Sequence, residues 1–208
     1  GTALGIVAND DGIDLLIASP LDKLDRELVT RRFAGTGGKE GGADIKEKTV
    51  PRGWGQVREA TVVWLDVAKR IGMVNWGPIQ AITTVKERGG AITFSGTDYA
   101  TYALLDAAAV TAGQYSTCLA ERGIKLGSDP LGAYVSSAAQ IVERMLTVEL
   151  GLTAADYDAA AFAALHSANP ALTGIWLPSG GQAIDAIRAL MQTVGAWLWD
   201  DLAGKLTT

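Results

Sequence analysis

Seven glycines (Gly35, Gly37, Gly38, Gly41, Gly42, Gly53 and Gly55) crowd the stretch from Phe33 to Gly55, together with Pro51 and the mixed charge run Asp44 to Lys48. Glycine surrenders the most backbone freedom on folding, so such density disfavours a helix or a central strand. Few apolar side chains in the stretch are available to bury. It reads as a long surface loop, a feature that is uncommon inside compact domains and often serves binding or assembly. Fixing each of its residues costs about 1–2 kcal/mol of backbone entropy. The isolated chain is therefore expected to leave the loop mobile until a neighbour orders it. The charges of Lys39, Glu40, Asp44, Lys46, Glu47 and Lys48 alternate in sign, which suits polar contacts with another protein. Lys39, Glu40, Asp44 and Lys46 are thus interface candidates, with Trp54 as the apolar anchor at the loop's end. Trp76, beside Gly77 in a second loop, joins them.

On either side of this loop the pattern is β. Leu4–Ala8 and Ile13–Ala18 read as strands around Asn9-Asp10-Asp11-Gly12, whose residues tolerate hairpin turns. Val62–Leu65, Ile71–Asn75, Ile79–Val85 and Ala91–Phe94 are further short runs of strand formers. Asp98 is placed to cap a helix running through Ala109 and stopped by Gly113. Tyr115–Ala120 and Ile124–Gly127 resemble a hairpin around Arg122-Gly123.

Ser128-Asp129-Pro130-Leu131-Gly132 breaks the texture. Beyond it, Ser136 or Ser137 caps a helix with Ile141, Met145, Leu146 and Leu150 at helical spacing. Thr153-Ala154-Ala155-Asp156 is a capping-box-like start for a second helix with Tyr157, Ala161, Phe162 and Leu165 on its apolar face, ended by Asn169-Pro170. Thr173–Leu177 is a strand, and Gln182–Val194 a third helix. Ala196–Trp199 and Lys205–Thr207 flank Asp200–Gly204 as a terminal hairpin. The class is α+β: strands alternate too rarely with helices for a doubly wound parallel sheet. Two units are expected, a β-rich one over residues 1–130 and one of three helices, a strand and a hairpin over 134–208.

Composition removes several function classes. The 18 basic and 23 acidic side chains leave a net charge of −5, whereas duplex binding rests on a basic excess; nucleic-acid recognition is not expected. A single cysteine, Cys118, permits no internal disulfide and no cysteine-rich zinc site. Cys118 reads as a buried thiol. The one histidine, His166, sits near a helix C-terminus, where it complements the helix dipole. No apolar run is long enough to span a bilayer. The chain opens on Gly1-Thr2-Ala3 and reads as a piece of a longer polypeptide.

The motifs that would carry catalysis are incomplete. In Gly35–Gly42 the lysine of a phosphate loop would be followed by Ser or Thr; Lys39 is followed by Glu40, which would repel a triphosphate. A calcium loop begun at Asn9 would end on an acid, where Pro20 stands. No Gly-x-Ser-x-Gly elbow occurs. The acid pairs Asp10/Asp11, Asp156/Asp158 and Asp200/Asp201 select no glycosidase site. No enzymatic activity, cofactor or metal is expected. Six tryptophans are many for 208 residues. Trp64, Trp176 and one face of the terminal hairpin, where Trp197 and Trp199 lie two apart, are read as core. Trp54 and Trp76 are open to an interface or ligand role.

Four blocks carry a resemblance: Gly41-Gly42-Ala43-Asp44-Ile45-Lys46 with Pro51 and Gly55 behind it; Gly77-Pro78-Ile79-Gln80-Ala81-Ile82 leading to Arg88-Gly89; Ala112 to Ala120; and Gly151-Leu152-Thr153-Ala154-Ala155-Asp156. In order and spacing they resemble the central part of minor tail proteins of tailed bacteriophages and prophages, of the baseplate or tail-hub type, over about residues 20–208. The resemblance implies a virion structural protein, assembled in the bacterial cytoplasm, whose partners are other copies of itself, in a ring of threefold symmetry, and other tail proteins. It carries no active-site residues. Two other readings stand beside it: a glycan- or receptor-binding module built on exposed tryptophan, and a tail-associated wall hydrolase.

Overall fold

The computed structural model describes residues 2–9, 12–66, 71–77, 79, 82, 85–87, 90–93, 95–97, 103–106, 118–126, 134–201 and 203–208. Outside them lie the expected turn at Asp10-Asp11, the Arg88-Gly89 turn, the cap at Asp98, the stop at Gly113 and the break at Ser128–Gly132.

The class is α+β, as the sequence predicts. In chain order the strands are β1 (Thr2–Asn9), β2 (Gly12–Ala18), β3 (Arg52–Thr61), β4 (Val63–Asp66), β5 (Ile71–Asn75), β6 (Val85–Glu87), β7 (Gly90–Ile92), β8 (Ser95–Thr97), β9 (Ala103–Asp106), β10 (Cys118–Leu126), β11 (Gly174–Leu177), β12 (Trp199–Asp200) and β13 (Leu206–Thr207). The helices are α1 (Ala138–Arg144), α2 (Ala159–Ala168) and α3 (Ala183–Gln192). An antiparallel five-stranded sheet has the order β11-β3-β10-β6-β7, and a four-stranded one the order β4-β5-β9-β8. Two hairpins, β1-β2 and β12-β13, stand apart from them. Only buried Val62 separates β3 from β4, so the chain passes from the first sheet to the second within one residue.

The main core draws residues from both expected units. β11, from beyond residue 134, pairs antiparallel with β3, setting Ile175 opposite Trp54 and Gly174 opposite Gly55. The main core joins Leu24, Leu28, Val29 and Trp54 to Ile141, Met145, Leu146, Phe162, Ile187, Leu190, Met191 and Leu206. α1 and α3 each bury an apolar face in this core, while α2 contributes Phe162 and packs on α1 and β13. The junction needs glycine. Gly55 has φ of 70°, and a methyl group there would press on the Thr173 carbonyl and the Ile141 side chain.

Three local expectations are corrected. Ala103–Asp106 is a strand rather than part of a helix, because β5 and β8 pair with its two edges and tertiary pairing overrides helix propensity. Arg122-Gly123 is no hairpin turn: β10 runs through it, with the register shift against β3 falling between Glu121 and Ile124. Thr153 does not start α2. Its N–H and hydroxyl both donate to the Asp156 carboxylate at 2.8 Å, closing a separate turn. Tyr157 then bridges Leu206, and Asp158 is the true N-cap, accepting from the N–H groups of Ala160 and Ala161 at 3.0 and 3.3 Å. The first helix begins as expected, with Ser137 at its cap, and continues into a π-turn over Met145–Glu149.

Candidate functional site

The glycine-dense segment is ordered by its own residues. Phe33, Ile45 and Val50 are buried at 1%, 5% and 0% exposure and pack with Leu65 and Met73 of β4 and β5 in a second, smaller core. The backbone closes the segment upon itself: Phe33 N–H donates to Lys48 C=O at 3.0 Å, Glu47 N–H to Phe33 C=O at 2.9 Å, Gly35 N–H to Glu40 C=O at 2.9 Å and Gly37 N–H to Gly41 C=O at 2.7 Å. Two 3-10 turns, Gly38–Glu40 and Ala43–Ile45, fill the interior. Glu40 serves as the segment's internal anion. One carboxylate oxygen accepts from Ala34 N–H at 3.0 Å and the other pairs with Arg31. The N–H groups of Ala34, Gly35, Gly37, Glu40 and Gly41 are thus spent on the segment's own carbonyl and carboxylate oxygens.

The six predicted interface residues separate. Trp54 lies on β3 inside the main core with no exposed surface, so it is not an interface anchor. It is buried because β3 begins at Arg52, within what the sequence suggests is loop. Lys39, Asp44 and Lys46 are exposed on the outer side of the segment. Glu40 and Trp76, far apart in sequence, are brought together by Arg31, which pairs with Glu40 and places its guanidinium 3.7 Å from the Trp76 ring centroid.

Trp76 is held firmly. Its N–H donates to Pro51 C=O at 2.8 Å, and its carbonyl accepts from the Arg52 guanidinium at 2.6 Å. The neighbouring Asn75, fully buried, accepts from Gly53 N–H at 2.9 Å and donates to Gly77 C=O at 3.1 Å. Gly77 has φ of 125°, and any side chain there would strike Arg52. Arg52 makes a nearly buried ion pair with Glu149 at 2.6 Å, the two side chains keeping 11% and 20% exposure. Glu149 closes the π-turn, whose i→i+5 bond from Leu150 N–H to Met145 C=O measures 3.0 Å. Between these groups opens a concavity of about 320 Å³, its wall formed by Arg26, Glu27, Arg31, Arg52, Trp76 and Glu149 with residues 28–30 and Val50. Its charges are mixed, and it is largely prearranged. Arg31, Arg52 and Glu149 were not singled out by the sequence, since the pairs span 9 and 97 residues.

His166 has a partner that sequence distance conceals: the Ser137 hydroxyl lies 2.8 Å from its Nδ1. Ser137 is fully buried and also accepts from Gln140 N–H at 3.4 Å as the cap of α1. With no exposed surface its oxygen offers no nucleophile to a substrate; the contact ties α1 to the end of α2. A further concavity of about 350 Å³ lies beside Tyr157, whose hydroxyl donates to Glu143 at 3.2 Å. Burial, and then the Glu143 charge, push that phenol above its ordinary value. The Cys118 side chain falls outside the described residues. Trp64 and Trp176 are half-buried, the latter donating from its indole to Val74 C=O at 3.1 Å. Trp197 and Trp199 are 73% and 53% exposed, against the expectation of a core face there. The hairpin that carries Trp199 has only two residues per strand, too little to fold over its own indoles.

Among the described residues no group of three or more His, Cys, Asp or Glu side chains converges as a metal site, and no helix is long and apolar enough to cross a membrane. No family model, curated protein or solved structure matches the chain.

Proposed function

We propose that this chain is a structural component of a bacteriophage tail, part of the baseplate or tail-tip hub, and that it works through protein–protein contacts and not by catalysis. On this reading it sits in the virion with other copies of itself, in a ring of threefold symmetry, and with other tail proteins. The four sequence blocks support the family. The observation that carries a contact role is the surface around Trp76: an indole stacked by Arg31, with Glu40, Arg52 and Glu149 fixed about a mixed-charge concavity. Aromatic and arginine side chains held in place before contact are what protein interfaces use as anchors. Fixed charges of both signs favour a specific neighbour over a uniform polyanion. Lys39, Asp44 and Lys46 rim the adjoining segment.

The test is reconstitution of the tail with Arg31→Glu or Trp76→Ala. Assembly is expected to fail at the tail tip while the isolated variant keeps its circular dichroism spectrum. Normal assembly of both variants, or absence of the chain from purified particles, overturns the proposal.

A further inference from the structure

The exposed indole of Trp197 stands over a concavity of about 270 Å³ between α3 and the start of the terminal hairpin, lined by Arg188, Met191, Gln192, Ala196, Trp197 and Leu198. Its floor is apolar, with Met191 at 1% exposure. Arg188 and Gln192, one helical turn apart on α3, stand on the same side of the helix. Arg26, Arg31, Arg32 and Arg52 each hold a carboxylate, hydroxyl or carbonyl of this chain. The side chains of Arg188 and Gln192, by contrast, make no hydrogen bond or ion pair among the described residues, and neither does the indole N–H of Trp197.

We propose that this pocket binds a saccharide. A sugar ring is the ligand whose chemistry matches all three features. Its C–H face covers an indole, its hydroxyls both donate and accept, and planar polar side chains such as a guanidinium and a carboxamide meet two neighbouring hydroxyls at once. The volume lies below the ~300–1,000 Å³ of pockets for drug-sized ligands and suits a single ring. Among the described residues of the lining Arg188 alone is charged, so a ring bearing a carboxylate binds more tightly than a neutral one. Trp54 and Trp76, the tryptophans that the sequence left open to a ligand, take no part. The inference is independent of the assembly role, which rests on a different surface.

The experiment is proton–nitrogen NMR of the full 208-residue chain titrated with methyl β-glucoside, methyl β-N-acetylglucosaminide and methyl β-glucuronide. The indole N–H of Trp197 and the side-chain amide of Gln192 are expected to shift saturably, with the glucuronide binding tightest. Trp197→Ala should weaken binding by roughly tenfold, because stacking and apolar cover go together. Arg188→Ala and Gln192→Ala should each weaken it by about threefold to tenfold, the worth of one hydrogen bond. These two exposed helix positions keep the test decisive should Trp197→Ala misfold. No saturable shift with any of the three sugars, or shifts that persist unchanged in the Arg188 and Gln192 variants, overturns the proposal.

Discussion

The glycine-dense segment 33–50 and the C-terminal stretch 196–208 exchange the roles that their compositions suggest. The first is polar, charged and full of glycine, yet it buries Phe33, Ile45 and Val50 and bonds its backbone to itself. The second carries two tryptophans, a leucine and an alanine within four residues, yet Trp197 and Trp199 remain exposed. The difference lies in geometry. The segment runs across β4 and β5, which supply Leu65 and Met73 as a floor, so three apolar side chains suffice to seat it. Among the described residues of the terminal stretch only Leu206 is fully buried, with Ala196 and Leu198 partly covered, and two-residue strands cannot shield their outward indoles. Burial follows the surface available to receive a side chain, and local composition reports that surface poorly.

The sharpest way to break the comparison is Phe33→Ala. If the segment is held by its small core, removing this ring costs about 3–5 kcal/mol or detaches the segment. Either outcome appears in urea unfolding together with hydrogen exchange at the N–H groups of Phe33, Glu47 and Val50. A change within about 0.5 kcal/mol, with these amides already unprotected in the parent chain, would return the segment to a mobile loop.

Glu149→Gln comes next. It leaves the nearly buried Arg52 guanidinium without its counter-charge, and about 3 kcal/mol of stability should be lost, the lower end for breaking a buried pair. Because Arg52 also fixes the Trp76 carbonyl, the effect should spread to the segment's side of the molecule and leave the 196–208 hairpin alone. Comparison of amide shifts in the two regions checks this. Equal perturbation of both would show that the regions are not separately held.

Much of the second half is legible because its signals are local. The Ser137 cap, the helical spacing of Ile141, Met145, Leu146 and Leu150, the stop at Asn169 and the strand before Leu177 all appear where the sequence places them. The failures are tertiary. Ala103–Asp106 has helix-forming residues and becomes a strand because two neighbours claim its edges. Trp54 reads as a loop residue because Gly53 and Gly55 flank it, whereas Gly55 lets β11 approach β3. At the candidate site, Glu40 and Trp76 could be named from their setting. Arg31, Arg52 and Glu149 could not, because each acts through a partner that only the fold brings near.

A smaller effect concerns the turn that secures the terminal hairpin. Asp156 pairs with Lys23 and accepts from Thr153, and these bonds hold its carboxyl at about 2, below the ordinary 3.8. A depressed folded value means that the stabilisation is complete above roughly pH 4 and is lost as pH falls through about 2. Lys23 is half exposed, which caps the pair's worth at about 1 kcal/mol. Asp156→Asn should therefore flatten the acid limb of the stability profile and change little in the difference between pH 6 and pH 8. An unchanged acid limb would show that Asp156 is not tied in solution.

The smallest effect is expected where composition suggests the largest. Trp197→Ala and Trp199→Ala remove the bulkiest type of side chain, and elsewhere in the molecule such a truncation costs about 3–5 kcal/mol. That cost arises from lost burial and the cavity left behind. At 73% and 53% exposure neither indole has much burial to lose. The melting transition of each variant should stay within about 0.5 kcal/mol of the parent. Trp199 has the stronger claim to a residual effect, since more of its indole is covered. A loss of several kcal/mol from either variant would mean that the hairpin folds its indoles inward in solution. It would also remove the contrast with the glycine-dense segment, and the exposed surface on which saccharide binding rests would go with it.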